Sequence, residues 1–234
     1  MKYLVSIYMW IIGGLSYFLI FTLVILLSPF LSKKALYKVQ NTLGKVALWL
    51  MFFRVKINYE EKLDKKSAYI FMPNHVSMLD VLVLAAHNPI YANAIEAKSH
   101  FKWFYYGWVI RILEQIPINR KSAKESLKSF EIAKKRIKKG RSIIVFPEGT
   151  RSGDGKLGKF KKLPFKFANE TKATIVPIGI TGVDQANPEK SIWVKPARIT
   201  VNFGKPISKE EVEKMSIEEL LDETHDRVEK LLEK

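Results

Sequence analysis

Two short stretches of this 234-residue chain carry residue types that could do chemistry. In PNHVSMLD (73–80), His75 precedes Asp80 by five positions. In FPEGTRS (146–152), a glycine and an arginine follow an apolar run. An imidazole bonded through one ring nitrogen to a carboxylate is fixed in one tautomer and keeps the other nitrogen basic, which suits taking a proton from a hydroxyl. Residues five apart on one continuous helix point about 140° away from each other, so a working pair needs a break between them. Pro73 favours an extended entry, and Ser77 can cap a helix beginning at Met78 with Asp80 at its third position. His75 is then expected in the loop, with Asp80 turning back toward it from the first turn. The same residues also read as nothing more than a loop and a capping box, and the two roles are compatible.

The second stretch suits an anion. Gly149 lets backbone approach a ligand, and Arg151 offers a bidentate fork to phosphate. Arg120 ends the short apolar run QIPINR (115–120). Lys156, Lys159, Lys161 and Lys162 follow in a loop broken by Gly153, Gly155 and Gly158. The alternative reading of these cations is a solvated face touching lipid headgroups. Net charge is +16, and it is uneven: residues 120–172 hold 17 Lys/Arg against 5 Asp/Glu, residues 209–234 hold 5 against 10. Such a basic middle asks for an anionic partner.

Several chemistries are excluded. There is no cysteine, hence no disulfide, thiolate nucleophile or acyl-cysteine intermediate. No G-x-S-x-G nucleophile turn is present. The four histidines (His75, His87, His100, His225) are scattered without H-E-x-x-H, so no metal site is expected. No nucleic-acid motif accompanies the positive charge.

The elements that must position these residues fall into two parts. Residues 3–31 carry no charge, and as a helix they exceed the roughly 30 Å hydrocarbon core. Gly13–Gly14 offers a bend and Pro29 an end. Lys33, Lys34 and Lys38 place the far side on the cytoplasmic face. A second apolar stretch, 45–57, is too short to span and is expected to lie in the interface or against the first helix. Residues 1–56 are therefore read as an N-terminal membrane-embedded two-helix element and 57–234 as one α/β domain. Within the latter, strands are expected at 67–74, 91–97, 115–120, 141–149, 173–182 and 197–207. Helices are expected at 78–88, 101–113, 124–140 and 209–234. This alternation predicts a single layered domain with a central mixed sheet flanked by helices.

With these residues in view, the chain resembles the glycerolipid acyltransferases of the lysophosphatidic acid acyltransferase type. The family's histidine-x4-aspartate motif matches NHVSMLD and carries over His75 and Asp80. Its second motif ends in an arginine and matches EQIPINR, carrying over Arg120. The third matches FPEGTRS, carrying over Glu148, Gly149 and Arg151, with Thr150 between them. The fourth matches IVPIGI, carrying over Pro177. Two departures stand out: Glu114 and Leu163 occupy positions where members usually have glycine.

The resemblance implies transfer of a fatty acyl group from acyl-CoA or acyl-carrier protein to the sn-2 hydroxyl of 1-acylglycerol 3-phosphate, giving phosphatidic acid. The alternative acceptors are glycerol 3-phosphate or another lysophospholipid. His75 would be the general base and Asp80 its partner. Arg120 and Arg151 would hold the acceptor phosphate, with Gly149, Thr150, Lys159 and Lys161 also at the substrate, and Glu148 would orient its loop or contact the glycerol portion of the substrate. Asn74 and the backbone amides near Gly149 are alternative candidate oxyanion donors. No cofactor is expected, because a thioester is already activated. The expected partners are lysophosphatidic acid, the acyl thioester and membrane phospholipids, at the cytoplasmic face of the cell membrane.

Overall fold

Alternate residues along the central strands go to opposite faces of one sheet. In β2 (Ile70–Pro73), Ile70 and Met72 enter one apolar cluster and Phe71 the other. In β5 (Ser142–Ile144) and just beyond it, Ile143 and Val145 divide in the same way from Ile144 and Phe146. This period of two, with both faces apolar, marks strands covered by helices on each side. The structure, a computed structural model, describes residues 2–152, 155–187 and 191–234; Gly153, read above as a break in the basic loop, lies outside them.

The sheet has seven strands among the described residues, in the order β1-β7-β6-β2-β5-β3-β4. The others are β1 (Phe53–Tyr59), β3 (Ala92–Ala97), β4 (Ile116–Ile118), β6 (Ile175–Thr181) and β7 (Ala197–Phe203). All neighbours pair parallel except β6 with β7. On one face lie α1 (Lys2–Leu27), α2 (Lys33–Leu50) and α3 (Leu79–His87), packed through Met9, Leu48 and Val83. On the other lie α5 (Ala123–Ile137), α6 (Lys162–Thr171) and α9 (Ile217–Leu232), packed through Phe130, Phe165 and Val228. Short α4 (Tyr106–Ile112), α7 (Val183–Ala186) and α8 (Lys209–Lys214) complete the set. The predicted mixed sheet flanked by helices is present.

Four elements differ from expectation, each for a local reason. The apolar stretch 45–57 is divided: α2 ends at Leu50, Phe52 takes a left-handed φ of 59°, and β1 starts at Phe53. Phe53, Val55 and Ile57 alternate with Arg54, Lys56 and Asn58, the pattern of a half-exposed edge strand. The sheet therefore begins before residue 57. The aromatic helix expected at 101–113 is broken at Tyr105, φ 69°, into a 3-10 turn (Lys98–Lys102) and α4. The C-terminal helix is two, because Ser208 with Glu211 and Ser216 with Glu219 each form a capping box. Finally, α6 starts inside the basic segment read as loop.

Among the described residues, α1 is the one helix long and apolar enough to cross a membrane by length and composition, with mean hydropathy 2.3. Only 17% of its most apolar window is buried, so it is not a core helix. It runs alongside the α/β layers. Near its start, Ser6 Oγ accepts the Val194 N–H at 2.9 Å, and Trp10 Nε1 donates to the Ile192 carbonyl at 2.7 Å. Near its end, Phe18 stacks on Tyr105, and Thr22 bonds the Tyr105 hydroxyl.

Candidate active site

The C-terminal ends of the parallel strands β2, β5, β3 and β4 point to one side of the sheet, and the loops there carry the predicted residues, as ligand sites in open α/β sheets do. Past Pro73, the Asn74 side chain clasps β6: its Nδ2 donates to the Ile180 carbonyl at 3.1 Å and its Oδ1 accepts the Ile180 N–H at 2.8 Å. Asn74 is 1% exposed. This side chain, expected as an oxyanion donor, ties two strands together through its oxygen and one Nδ2 hydrogen.

The clasp sends the next residue out over the sheet edge. His75 lays its ring on Phe146, centroids 4.1 Å apart and planes 30° from parallel. Its Nδ1 lies 2.9 Å from Asp80 Oδ2. That same oxygen accepts the N–H groups of Val76 and Ser77, each at 2.8 Å. A carboxylate oxygen collecting backbone N–H bonds is an acceptor, so Nδ1 carries the proton and Nε2 the lone pair. Asp80 is fully buried, and His75 is 9% exposed. The helix α3 begins at Leu79, one residue later than expected, with Met78 at its cap position. The capping contacts persist in altered form: Ser77 Oγ accepts the Leu79 N–H, and Asp80 accepts the Ser77 N–H. One carboxylate thus ties down the loop before the helix and orients the imidazole.

A cleft of about 470 Å³ reaches this pair through Phe146 and Glu148, which both line it and both touch His75; His75 and Asp80 are not themselves among its lining residues. Arg120, Phe146, Glu148, Gly149, Thr150 and Lys161 line it, with Leu163, the second departure from the family pattern, in its wall. Phe146 therefore faces both the cleft and the His75 ring. Arg120 is exposed as a residue, yet the cleft wall desolvates its guanidinium and lowers its pKa from the ordinary value, an effect opposed by Glu96. Gly149 has φ +76°, a left-handed conformation that suits glycine. Arg151 and Lys159 are exposed and are not among the lining residues. Pro177 lies inside β6, paired with Met72.

Glu148 stands apart from the other lining residues. It is 3% exposed, and its carboxylate accepts the His75 N–H at 2.6 Å and the Gly158 N–H at 2.9 Å. Three contributors escape a reading by residue type: the Phe146 platform, the Gly158 amide, and the Ser152 amide, which donates to the His75 carbonyl at 3.0 Å. Phe146 and Ser152 sit inside the FPEGTRS motif, so its full length was the available signal.

Glu114 is the other departure. Its φ of 56° explains the glycine usual at that position. Here Arg141 pairs with its carboxylate and Arg136 donates to its carbonyl.

The acyltransferase family profile matches residues 54–181, which run from the second residue of β1 to the end of β6 and include every residue of the cleft just described. The chain belongs to the acyltransferase family. Three curated relatives are each a 1-acyl-sn-glycerol-3-phosphate acyltransferase. One, from Cocos nucifera, is 31% identical over 184 residues, which are 78% of this chain and 59% of that protein. One from Limnanthes alba is 31% identical, covering 80% and 66%. One from Saccharomyces cerevisiae is 31% identical, covering 74% and 58%. The chain thus spans about three-fifths of the length of the relatives it matches. The fold is that of the crystal structure of the 1-acyl-sn-glycerophosphate (LPA) acyltransferase PlsC from Thermotoga maritima. The TM-score is 0.85 at 24% identity, over 99% of this chain and 95% of that one.

Proposed function

We propose that this family member is a 1-acylglycerol-3-phosphate O-acyltransferase, which moves a fatty acyl group from an acyl thioester to the sn-2 hydroxyl of lysophosphatidic acid and forms phosphatidic acid. The observation that carries this reading is the buried His75–Asp80 pair at 2.9 Å, joined through Phe146 and Glu148 to a cleft bordered by Arg120 and Lys161.

The chemistry balances without an enzyme nucleophile. The acceptor hydroxyl oxygen attacks the thioester carbonyl carbon while His75 Nε2 takes the hydroxyl proton. The tetrahedral intermediate collapses with cleavage of the carbon–sulfur bond. The imidazolium returns its proton to the departing sulfur, giving an ester and a free thiol. Asp80 stabilises the imidazolium between the two transfers. Arg120 and Lys161 hold the acceptor phosphate, and Arg151 and Lys159, on the exposed rim, help to draw it in. Acyl-CoA and acyl-carrier protein are both donors to test.

The substrate and the product are lipids, so the site must meet a bilayer, and α1 and α2 supply the contact. Between Ser6 and Thr22, α1 rises roughly 24 Å while both ends hold the α/β layers. Driving α1 through a bilayer along its axis would drag those layers with it. The helix therefore lies within one leaflet, on the cytoplasmic face set by Lys33, Lys34 and Lys38. In this reading the membrane element ends with α2, and the catalytic domain runs from β1 onward.

The test is acyl transfer in detergent or lipid, with each donor offered lysophosphatidic acid and, separately, glycerol 3-phosphate. Phosphatidic acid formation establishes the reaction. Transfer to glycerol 3-phosphate alone keeps the base and changes the acceptor. No transfer from either donor to either acceptor overturns the assignment.

A further inference from the structure

Resting on that reaction, we infer that Glu148 and Gly158 form a positioning strut, which ties the basic loop of the cleft to the backbone of the catalytic histidine. Glu148 Oε1 accepts the N–H of His75, and Oε2 accepts the N–H of Gly158. Gly158 belongs to a loop whose far end is anchored where the Lys161 N–H meets the Pro147 carbonyl at 2.8 Å. That loop carries Lys159 and Lys161, and Lys161 lines the cleft. One buried carboxylate thus joins the segment that meets an anion to the segment that moves a proton.

The identity of residue 158 follows from this contact. The described glycines with positive φ are Gly140, Gly149, Gly155 and Gly182, so backbone conformation does not demand glycine at 158. Space does. A Cβ there would lie 2.5 Å from Glu148 Oε2 and 3.4 Å from its Cδ. A free carboxylate would swing aside at little cost. This one is bonded at both oxygens, so its displacement passes to the N–H of His75. The identity of residue 148 follows as well. Two N–H donors need two acceptors; a glutamine offers one oxygen and turns its NH₂ toward the other donor. An acceptor phosphate seated on Lys161 therefore also fixes the loop that holds His75.

The experiment compares Gly158→Ala and Glu148→Gln with the parent and with Lys161→Ala. It measures kcat, KM for lysophosphatidic acid, and the imidazole nitrogen resonances of protein labelled with ¹⁵N-histidine in detergent. His75 is identified by the signal lost in His75→Ala, and His87, His100 and His225 serve as internal references. The strut predicts that Gly158→Ala and Glu148→Gln each lower kcat by about 10- to 100-fold, as a small misplacement of a reacting group does. KM should stay within about twofold, and the His75 resonances should shift while the other three hold. Lys161→Ala should instead raise KM. A raised KM at unchanged kcat in Glu148→Gln would make Glu148 a substrate contact and overturn the strut, as would unmoved His75 resonances in both variants. If Gly158→Ala does not fold, Glu148→Gln, which adds no volume, carries the same test. A parent inactive toward lysophosphatidic acid would break the proposed reaction while the resonances still decide the strut.

Discussion

Around His75 the side chains are buried and tied, whereas across the cleft Arg120, Arg151 and Lys161 are exposed and form no ion pair among the described residues. Asp80 takes three donors on one oxygen, and Asn74 is bonded twice to Ile180. The first side is preorganised: its geometry exists without substrate, so little reorganisation accompanies proton transfer. The second side presents cations without an ion pair among the described residues, which in the proposed reaction suits an anion. Under the proposed reaction the contrast assigns rate to one side and affinity to the other, and it can be broken by variants that move the wrong parameter.

The largest effect belongs to His75→Ala. General base catalysis contributes about 10²–10⁴-fold, and that factor should vanish from kcat, measured with saturating acceptor and with folding verified by circular dichroism. Retained activity in a folded variant would return PNHVSMLD to a loop and a cap.

Asp80 comes next and sharpens the division, because its two neutral replacements differ. In Asp80→Asn the amide oxygen can occupy the Oδ2 position and keep all three donors, with its NH₂ at Oδ1, which has no partner among the described residues. His75 stays oriented and loses its charged partner, a bond worth about 1.5–3 kcal/mol, or roughly 10- to 150-fold in kcat. Asp80→Ala also strands the buried amides of Val76 and Ser77, at about 1–3 kcal/mol each. The alanine variant should therefore melt well below the asparagine variant in a thermal scan. Equal melting temperatures would mean that the carboxylate does not hold the loop.

On the binding side, Arg120→Ala should raise KM for lysophosphatidic acid by roughly 10- to 100-fold through loss of a charge-assisted bond, with kcat nearly unchanged. Added salt should raise the parent's KM more than the variant's, since an exposed cation is screened. A fall in kcat at constant KM would place Arg120 with the chemistry and erase the contrast.

The two sides were not equally legible. His75 and Asp80 could be paired from sequence because Pro73 and Ser77 dictate the break between them, and the structure closes the pair. The sheet was legible because short continuous apolar runs such as IVPIGI are too brief for buried helices and alternate with amphipathic helical segments. β1 was not, because FRVKINY follows directly on the apolar end of α2 and the left-handed turn at Phe52 has no glycine to mark it. The strut was legible only in outline: Glu148 reads from sequence as orienting its loop or contacting the glycerol portion, and only the bonds of its two oxygens show that it spans from His75 to Gly158. The clasp made by Asn74 was not legible either, since the residue type does not tell which strand its amide will bond.

Glu114 gives the smallest effect and tests how far the cleft depends on its outer turns. A non-glycine residue at φ 56° is held against a backbone preference worth about 1–2 kcal/mol. The Arg141 contact to its carboxylate is more than a third exposed on both partners and so contributes at most about 1 kcal/mol. Arg136 reaches the Glu114 carbonyl whatever the side chain. Glu114→Gly removes strain and ion pair together, and glycine adds back unfolded-state entropy of about 0.4–1 kcal/mol. The terms nearly cancel, so stability in urea should change by less than about 1 kcal/mol, and KM and kcat should stay at parent values. A raised KM would show that the turn before β4 helps place Arg120 after it, and would extend the affinity side of the cleft back to the Glu114–Arg141 contact.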